Sequence, residues 1–230
     1  MTFTHTTDVE AAAWIHDSVL PWPRAPHAQM TLASLVPGSY PRLVAVPNDP
    51  AMPWTLADVD PQERPEGTLD VDRWRTLAET IEDVHGAGRP VTAGLWTGCG
   101  TIVAPDTDGV QAPQTVLASE RDARARTFGW ITSFDVDVQS LPVLELPHRE
   151  YALFRGTTAT LRTSSWQRES GWAWTGGDTF HLCWPDDRSW FAYSDTDLTQ
   201  LYLACDHALA NAVLDAGLGA TEVQYTHAPR

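Results

Sequence analysis

Residues 180–218 read FHLCWPDDRSWFAYSDTDLTQLYLACDHALANAVLDAGL. Three apolar, aromatic-rich runs alternate with two acidic turns, Asp186-Asp187 and Asp195-Thr196-Asp197. Asp is a standard turn residue, and short apolar runs bounded by such turns read as antiparallel strands. After Cys205 the spacing changes. Leu209, Ala212, Val213 and Ala216 recur at helical intervals, and Gly217 closes the run. The segment therefore predicts strand, turn, strand, turn, strand, helix over about 205–216, with a last strand at Glu222–Tyr225.

Working outward, Val71, Trp74, Leu77, Ala78, Ile81 and Val84 predict a second helix over about 70–85. Thr68 or Asp70 is placed to cap it and Gly86 to end it. Thr7-Asp-Val-Glu10 has the form of a capping box opening a helix over 8–19, which Pro21 and Pro23 stop. Met30–Val36 and Arg42–Val46 predict a proline-limited edge hairpin. Pro90–Trp96, Phe128–Val138, Pro142–Leu146 and Tyr151–Leu161 predict further strands. Residues 104–127 carry no periodicity and read as a long variable surface loop. The expectation is one α+β domain over 1–230. It has a mostly antiparallel sheet of about six to eight strands, with two or three helices packed on one face.

Composition narrows the function. The chain has 230 residues, and 30 acidic residues against 15 basic ones give a net charge of −15. Such a body repels phosphate backbones, which disfavours nucleic acid, and suits a basic partner or a cation; the plain alternative is that the charge serves solubility. Every basic residue is Arg, which removes lysine Schiff-base and P-loop lysine chemistry. Three Cys, at 99, 183 and 205, form no even disulfide set. The first residues lack the basic and apolar regions of a signal peptide, and no apolar run is long enough to span a bilayer. Together these predict a cytoplasmic protein without a membrane role. They leave its oligomeric state open.

Several pieces resemble an uncharacterised family of actinobacterial proteins. They are Ser34-Leu-Val-Pro37, Gly94-Leu-Trp-Thr-Gly98, Leu146-Pro-His-Arg-Glu-Tyr151, Phe154-Arg-Gly156, Trp184-Pro-Asp-Asp-Arg-Ser-Trp190 and Asp195-Thr-Asp197. The resemblance spans most of the chain except 104–127, departs at Ala204-Cys205, and implies an architecture without an activity. In size, acidity and Trp content the chain also bears a fold-level likeness to SUKH-type bacterial immunity proteins.

Residues that carry chemistry are few. No GxSxG, HExxH, CxxC or dinucleotide fingerprint is present. His181 and Cys183 stand two apart on one strand, the minimum for a thiolate pair, yet a Cys between Leu182 and Trp184 reads as a small buried hydrophobe. The two acidic turns flank a strand of about 20 Å, so their four carboxylates do not share one cation. No catalytic residue, metal ligand or cofactor is assigned.

Two readings follow. In the first, the chain is a non-enzymatic acidic interaction module, immunity-like or regulatory. Trp166, Trp172 and Trp174 of the Trp/Gly-rich segment, with Asp186 and Asp187, meet the partner. In the second, it is a metal-dependent or small-molecule-processing enzyme. Arg149, Arg188, Asp195 and Asp197 bind the ligand there, with His181 or His148 near the same pocket. The plain structural alternative is that the carboxylates cap turns and the arginines pair internally.

Overall fold

The computed structural model describes residues 3–21, 30–48, 69, 71–97, 100–102, 130–132, 142–147, 149–162, 180–195 and 197–230. Residues 104–127, where a loop is expected, and Cys99, His148, Trp166, Trp172 and Trp174 lie outside them.

Eleven strands are described: β1 (Thr4–His5), β2 (Arg42–Pro47), β3 (Pro90–Trp96), β4 (Gly100–Ile102), β5 (Trp130–Thr132), β6 (Leu144–Leu146), β7 (Arg149–Thr157), β8 (Leu182–Pro185), β9 (Trp190–Tyr193), β10 (Gln200–Cys205) and β11 (Thr221–Glu222). Nine form one sheet in the order β1-β7-β3-β8-β9-β10-β2-β11, with β6 on β7, while β4 and β5 pair separately. Every pairing is antiparallel. The fold is α+β, as expected.

Among the described residues three α-helices accompany the sheet: α1 (Ala13–Ser18), α2 (Val71–His85) and α3 (His207–Asp215). Asp206 caps α3 by accepting from the Leu209 N–H at 2.8 Å. Gly86 and Gly217, at φ +90° and +73°, take the left-handed conformation that ends α2 and α3.

Paired residues share a sheet face, and successive residues alternate. The register therefore puts Trp184, Phe191, Tyr193, Tyr202, Trp96, Tyr151 and Arg149 on one face. It puts Ala93, Phe154, Ala192, Leu203 and Val44 on the other. The second face buries against α2 and α3, whose Leu77, Ile81, Leu209 and Val213 are fully inaccessible. Phe3, Phe180 and Trp74 extend that layer, with the Trp74 indole donating to Leu161 O at 2.7 Å. A Cβ on Gly156 would come within 2.7 Å of the Phe3 ring, so this strand position needs the missing side chain.

The first face is covered by α1 and the chain ends. Trp14 meets Trp184 and Phe191 edge-on, at ring separations of 6.2 and 5.9 Å. Leu32–Ser34, a turn of 3₁₀-helix, is tied to the C-terminal segment: Leu32 N donates to His227 O and Ala33 N to Tyr225 O. With both faces covered, β10 is buried at all six positions.

Three local expectations change. Met30–Val36 is not the partner of β2, which pairs with β10 and β11. Leu32 N and Ala33 N donate to the C-terminal segment, Ser34, Leu35 and Val36 N turn back onto Thr31 and Leu32, and Pro37 and Pro41 separate the run from β2. At the N-terminus the expected helix begins as a 3₁₀ turn over Glu10–Ala12 before α1, and Asp8 rather than Thr7 accepts a backbone bond there, from Ala11 N at 3.2 Å. The run after Tyr151 leaves the sheet at Thr157 and continues as 3₁₀-helix over Thr158–Arg162.

No described helix is long and apolar enough to cross a membrane.

Candidate functional site

The hairpin β8–β9 and the connection β9–β10 send the two acidic turns to opposite ends of β9, as its length requires. Each turn uses an Asp to satisfy a backbone N–H two residues on. Ser189 N donates to Asp187 Oδ1 at 3.0 Å, and Asp197 N donates to Asp195 Oδ1 at 3.1 Å. Each turn also holds arginines, in very different surroundings.

At the β9–β10 end the centre is Arg149, at the start of β7. It donates to Asp195 through two nitrogens, Nε at 3.1 Å and Nη2 at 2.7 Å, and Nη2 also reaches Asp197 Oδ2 at 2.7 Å. Its guanidinium carbon lies 3.9 Å from the centre of the Trp96 ring. This is the fork-and-stack geometry that Arg makes and Lys does not. The Tyr193 hydroxyl donates to Asp195 Oδ2 at 3.1 Å. The Arg149 and Asp195 side chains are only 11% and 8% exposed, whereas Asp197 is 61% exposed.

Burial by itself would push the Asp195 carboxyl up, but the hydrogen bonds and charge of Arg149 outweigh it and hold the carboxyl below its ordinary value. Behind this group lies His181, wholly buried. Its Nδ1 accepts the Trp96 N–H at 3.2 Å. Burial, aided by the charge of Arg149, lowers the imidazole to about 4, so it is neutral near pH 7. Cys183 is buried too, and burial pushes its thiol well up. His181 and Cys183 therefore offer neither an imidazolium nor a thiolate.

A cavity of about 230 Å³ opens beside the clamp, lined by Met30, Leu35, Arg149, Tyr193, Asp195, Asp197 and Leu198. Among the described residues one guanidinium faces two carboxylates, so the charged part of the wall is negative by one. Tyr193 and three aliphatic side chains form the rest of the described wall. Among the described residues no group of three or more His, Cys, Asp or Glu is placed to hold a metal ion. The space between Asp195 and Asp197 is already held by a cation, the Arg149 guanidinium.

At the opposite end, Asp186 takes a fork from Arg155 at 2.5 and 2.7 Å, and Asp187 pairs with Arg89. The two carboxylates are 48% and 53% exposed. Arg188 lies over Trp14, 4.9 Å from the ring centre.

The residues weighed as one ligand grip thus divide. Arg149, Asp195 and Asp197 meet at one cavity, while Arg188 lies at the other end of β9 and does not join them. Asp186 and Asp187 sit together, each with an arginine partner, and the three tryptophans weighed with them lie outside the described residues.

Tyr193, Trp96 and the cavity's aliphatic wall were missed in the sequence. Tyr193 had a usable signal, since it stands two residues before Asp195 and so shares its side of an extended chain. Trp96 had none. Its place under Arg149 comes from the register of β3 on β7, across fifty residues of intervening chain.

Comparison with known proteins finds no matching family model, no matching curated protein and no matching solved structure.

Proposed function

We propose that this chain is a non-enzymatic acidic interaction module, immunity-like or regulatory, that takes a basic protein partner. The observation that supports this best is the contrast between inner and outer charge. Inside, among the described residues, His181 is neutral and accepts the Trp96 N–H, Asp195 is clamped by Arg149, and the buried Cys183 thiol is protonated. Outside, the net charge of −15 is free to steer a cationic protein. Trp166, Trp172 and Trp174 are the proposed aromatic part of the contact surface, with Asp186 and Asp187 at its acidic part.

Capture of the tagged protein from its own host lysate tests this. A basic protein retained at low salt and released as ionic strength rises is the expected result, because screening shortens the reach of surface charge to about 10 Å at 0.1 M. A variant with Trp172→Ala and Trp174→Ala locates the surface. Recovery of no specific protein at low salt removes the main support for this reading.

The cavity beside Arg149 favours a second reading, a small-molecule or metal-dependent enzyme. At about 230 Å³ it falls short of the roughly 300–1,000 Å³ usual for ligand pockets. A metal at Asp195 and Asp197 also has to displace Arg149. Thermal stabilisation by Mg²⁺, Mn²⁺ or Ca²⁺ would favour this reading over the first.

A further inference from the structure

We propose that the cavity beside Arg149 is the socket for one basic side chain, Arg or Lys, of the protein partner. This rests on the interaction-module reading above. Three features define the occupant.

The first is size. About 230 Å³ suits a single long side chain and is too small for a nucleotide-sized ligand. The second is the wall. Met30, Leu35 and Leu198 give an aliphatic surface, and Leu35 and Leu198 are themselves 2% and 9% exposed. Basic side chains lay their methylene stems along such surfaces while the charged head stays near water. The third is where the charge sits. Asp195 is buried and neutralised by the two-pronged bond from Arg149. Among the described residues the surplus negative charge of the wall therefore resides on Asp197, which shares only Nη2 with that fork and is largely exposed. A cationic head placed deeper meets the Arg149 guanidinium, whereas a head at the rim meets Asp197. An anionic side chain meets the surplus negative charge of Asp197 at the same rim. The net charge of the whole chain favours the same sign of occupant.

The test uses capped tripeptides as probes: Ac-Ala-Arg-Ala-amide and Ac-Ala-Lys-Ala-amide, beside analogues carrying norleucine or Glu at the centre. Methyl chemical shifts of Leu35 and Leu198 are followed by NMR at low ionic strength. The expected result is a weak, saturable shift with the Arg and Lys peptides and none with the Glu peptide. Asp197→Asn should weaken binding at least about threefold, the scale of one exposed ion pair. Met30→Trp, which fills the cavity and leaves the charges in place, should abolish the shifts. Asp215→Asn, exposed on α3 and away from the cavity, should leave them unchanged. Melting curves of each variant show that it is folded.

Equal shifts with the norleucine peptide, or shifts indifferent to both Asp197→Asn and Met30→Trp, overturn the socket. So does an unshifted pair of leucines. These outcomes are separable from failure of the module reading. A basic partner captured equally by wild type and Met30→Trp keeps the module and removes the socket. Tripeptide binding with no captured partner removes the module.

Discussion

The two acidic turns flanking β9 share a design and differ in surroundings. Both carry two Asp, both close an Asx turn, and both draw arginine from neighbouring segments. At Asp186-Asp187 the carboxylates stand half in water. At Asp195-Thr-Asp197 one carboxylate is sealed under Tyr193 and Arg149, and the arginine is sealed in turn against Trp96. Exposed ion pairs contribute about 0–1 kcal/mol, because water already solvates both charges. A buried pair is different. Removing one partner strands a charge in a poor solvent. The same residue types therefore decorate one end of the strand and fasten the other.

The sharpest break of this comparison is Arg149→Ala. It leaves the Asp195 carboxylate buried without its cation, and about 3–5 kcal/mol of unfolding free energy should go with it. Chemical denaturation measures the loss. The double variant Arg149→Met with Asp195→Leu should recover much of it, because nothing charged is then buried. A single-variant loss under about 1 kcal/mol would mean that the clamp is no stronger than its exposed counterpart.

The pH dependence sharpens the contrast, since the buried end contains two groups, His181 and Asp195, that the fold holds below their ordinary values. His181 is held to about 4 against an ordinary value near 6.5, so the unfolded chain binds a proton there before the folded one does. Its contribution is complete above about pH 6.5 and is lost as pH falls toward 4. That interval corresponds to about 3 kcal/mol. The depressed carboxyl of Asp195 acts at lower pH. Its contribution is present above about 3.9 and is lost as pH falls through the still lower folded value. Denaturation midpoints between pH 7 and 4 should therefore fall steeply in the wild type. In His181→Asn, whose amide oxygen can accept the Trp96 N–H in place of Nδ1, they should fall much less. Parallel curves for the two proteins would remove His181 from this account.

Which end would be buried was not legible in the sequence. The strand-turn-strand-turn-strand-helix order of 180–218 was, because local spacing and turn chemistry determine it. So was the separation of the two turns, which needs only the rise per residue of a strand. Asp195, Asp197 and Arg149 were each visible as candidates, but the grouping of Arg149 with Arg188 was wrong. Arg188 is kept at the far end by its place in the β8–β9 turn, whereas Arg149 arrives through pairing of β7 with β3. The hairpin expected for 30–46 failed for a related reason. Local apolar runs suggested pairing between neighbours, while Arg42–Pro47 found its partner in Gln200–Cys205. Contacts between distant segments carry no signature within either segment.

At the exposed end the expected effects are small. Asp186→Asn and Asp187→Asn should each cost under about 1 kcal/mol, and high salt should shrink the difference from wild type further. Asp187→Asn keeps an oxygen to accept the Ser189 N–H, so the turn itself survives. A cost near that of Arg149→Ala, read in the same denaturation experiment, would erase the distinction between the two ends.

The smallest effect concerns the backbone of that turn. Arg188 sits at φ 54°, left-handed, with its N–H donating to Pro185 O at 2.9 Å. A side chain there costs about 1–2 kcal/mol, and glycine avoids that cost. Glycine also loosens the unfolded chain, which offsets about 0.4–1 kcal/mol. The guanidinium over Trp14 returns about 0.5–1 kcal/mol at an exposed site. These amounts nearly cancel, so Arg188→Gly should lie within about 0.5 kcal/mol of wild type. Arg188→Ala loses the Trp14 contact and keeps the strained backbone, so it should be the less stable of the two by about 0.5–1 kcal/mol. Measured side by side, the two variants separate strain from stacking. If Ala is instead more stable than Gly by about 0.4–1 kcal/mol, the turn holds Arg188 without strain, and only its stacking on Trp14 distinguishes it from the rest of the exposed end.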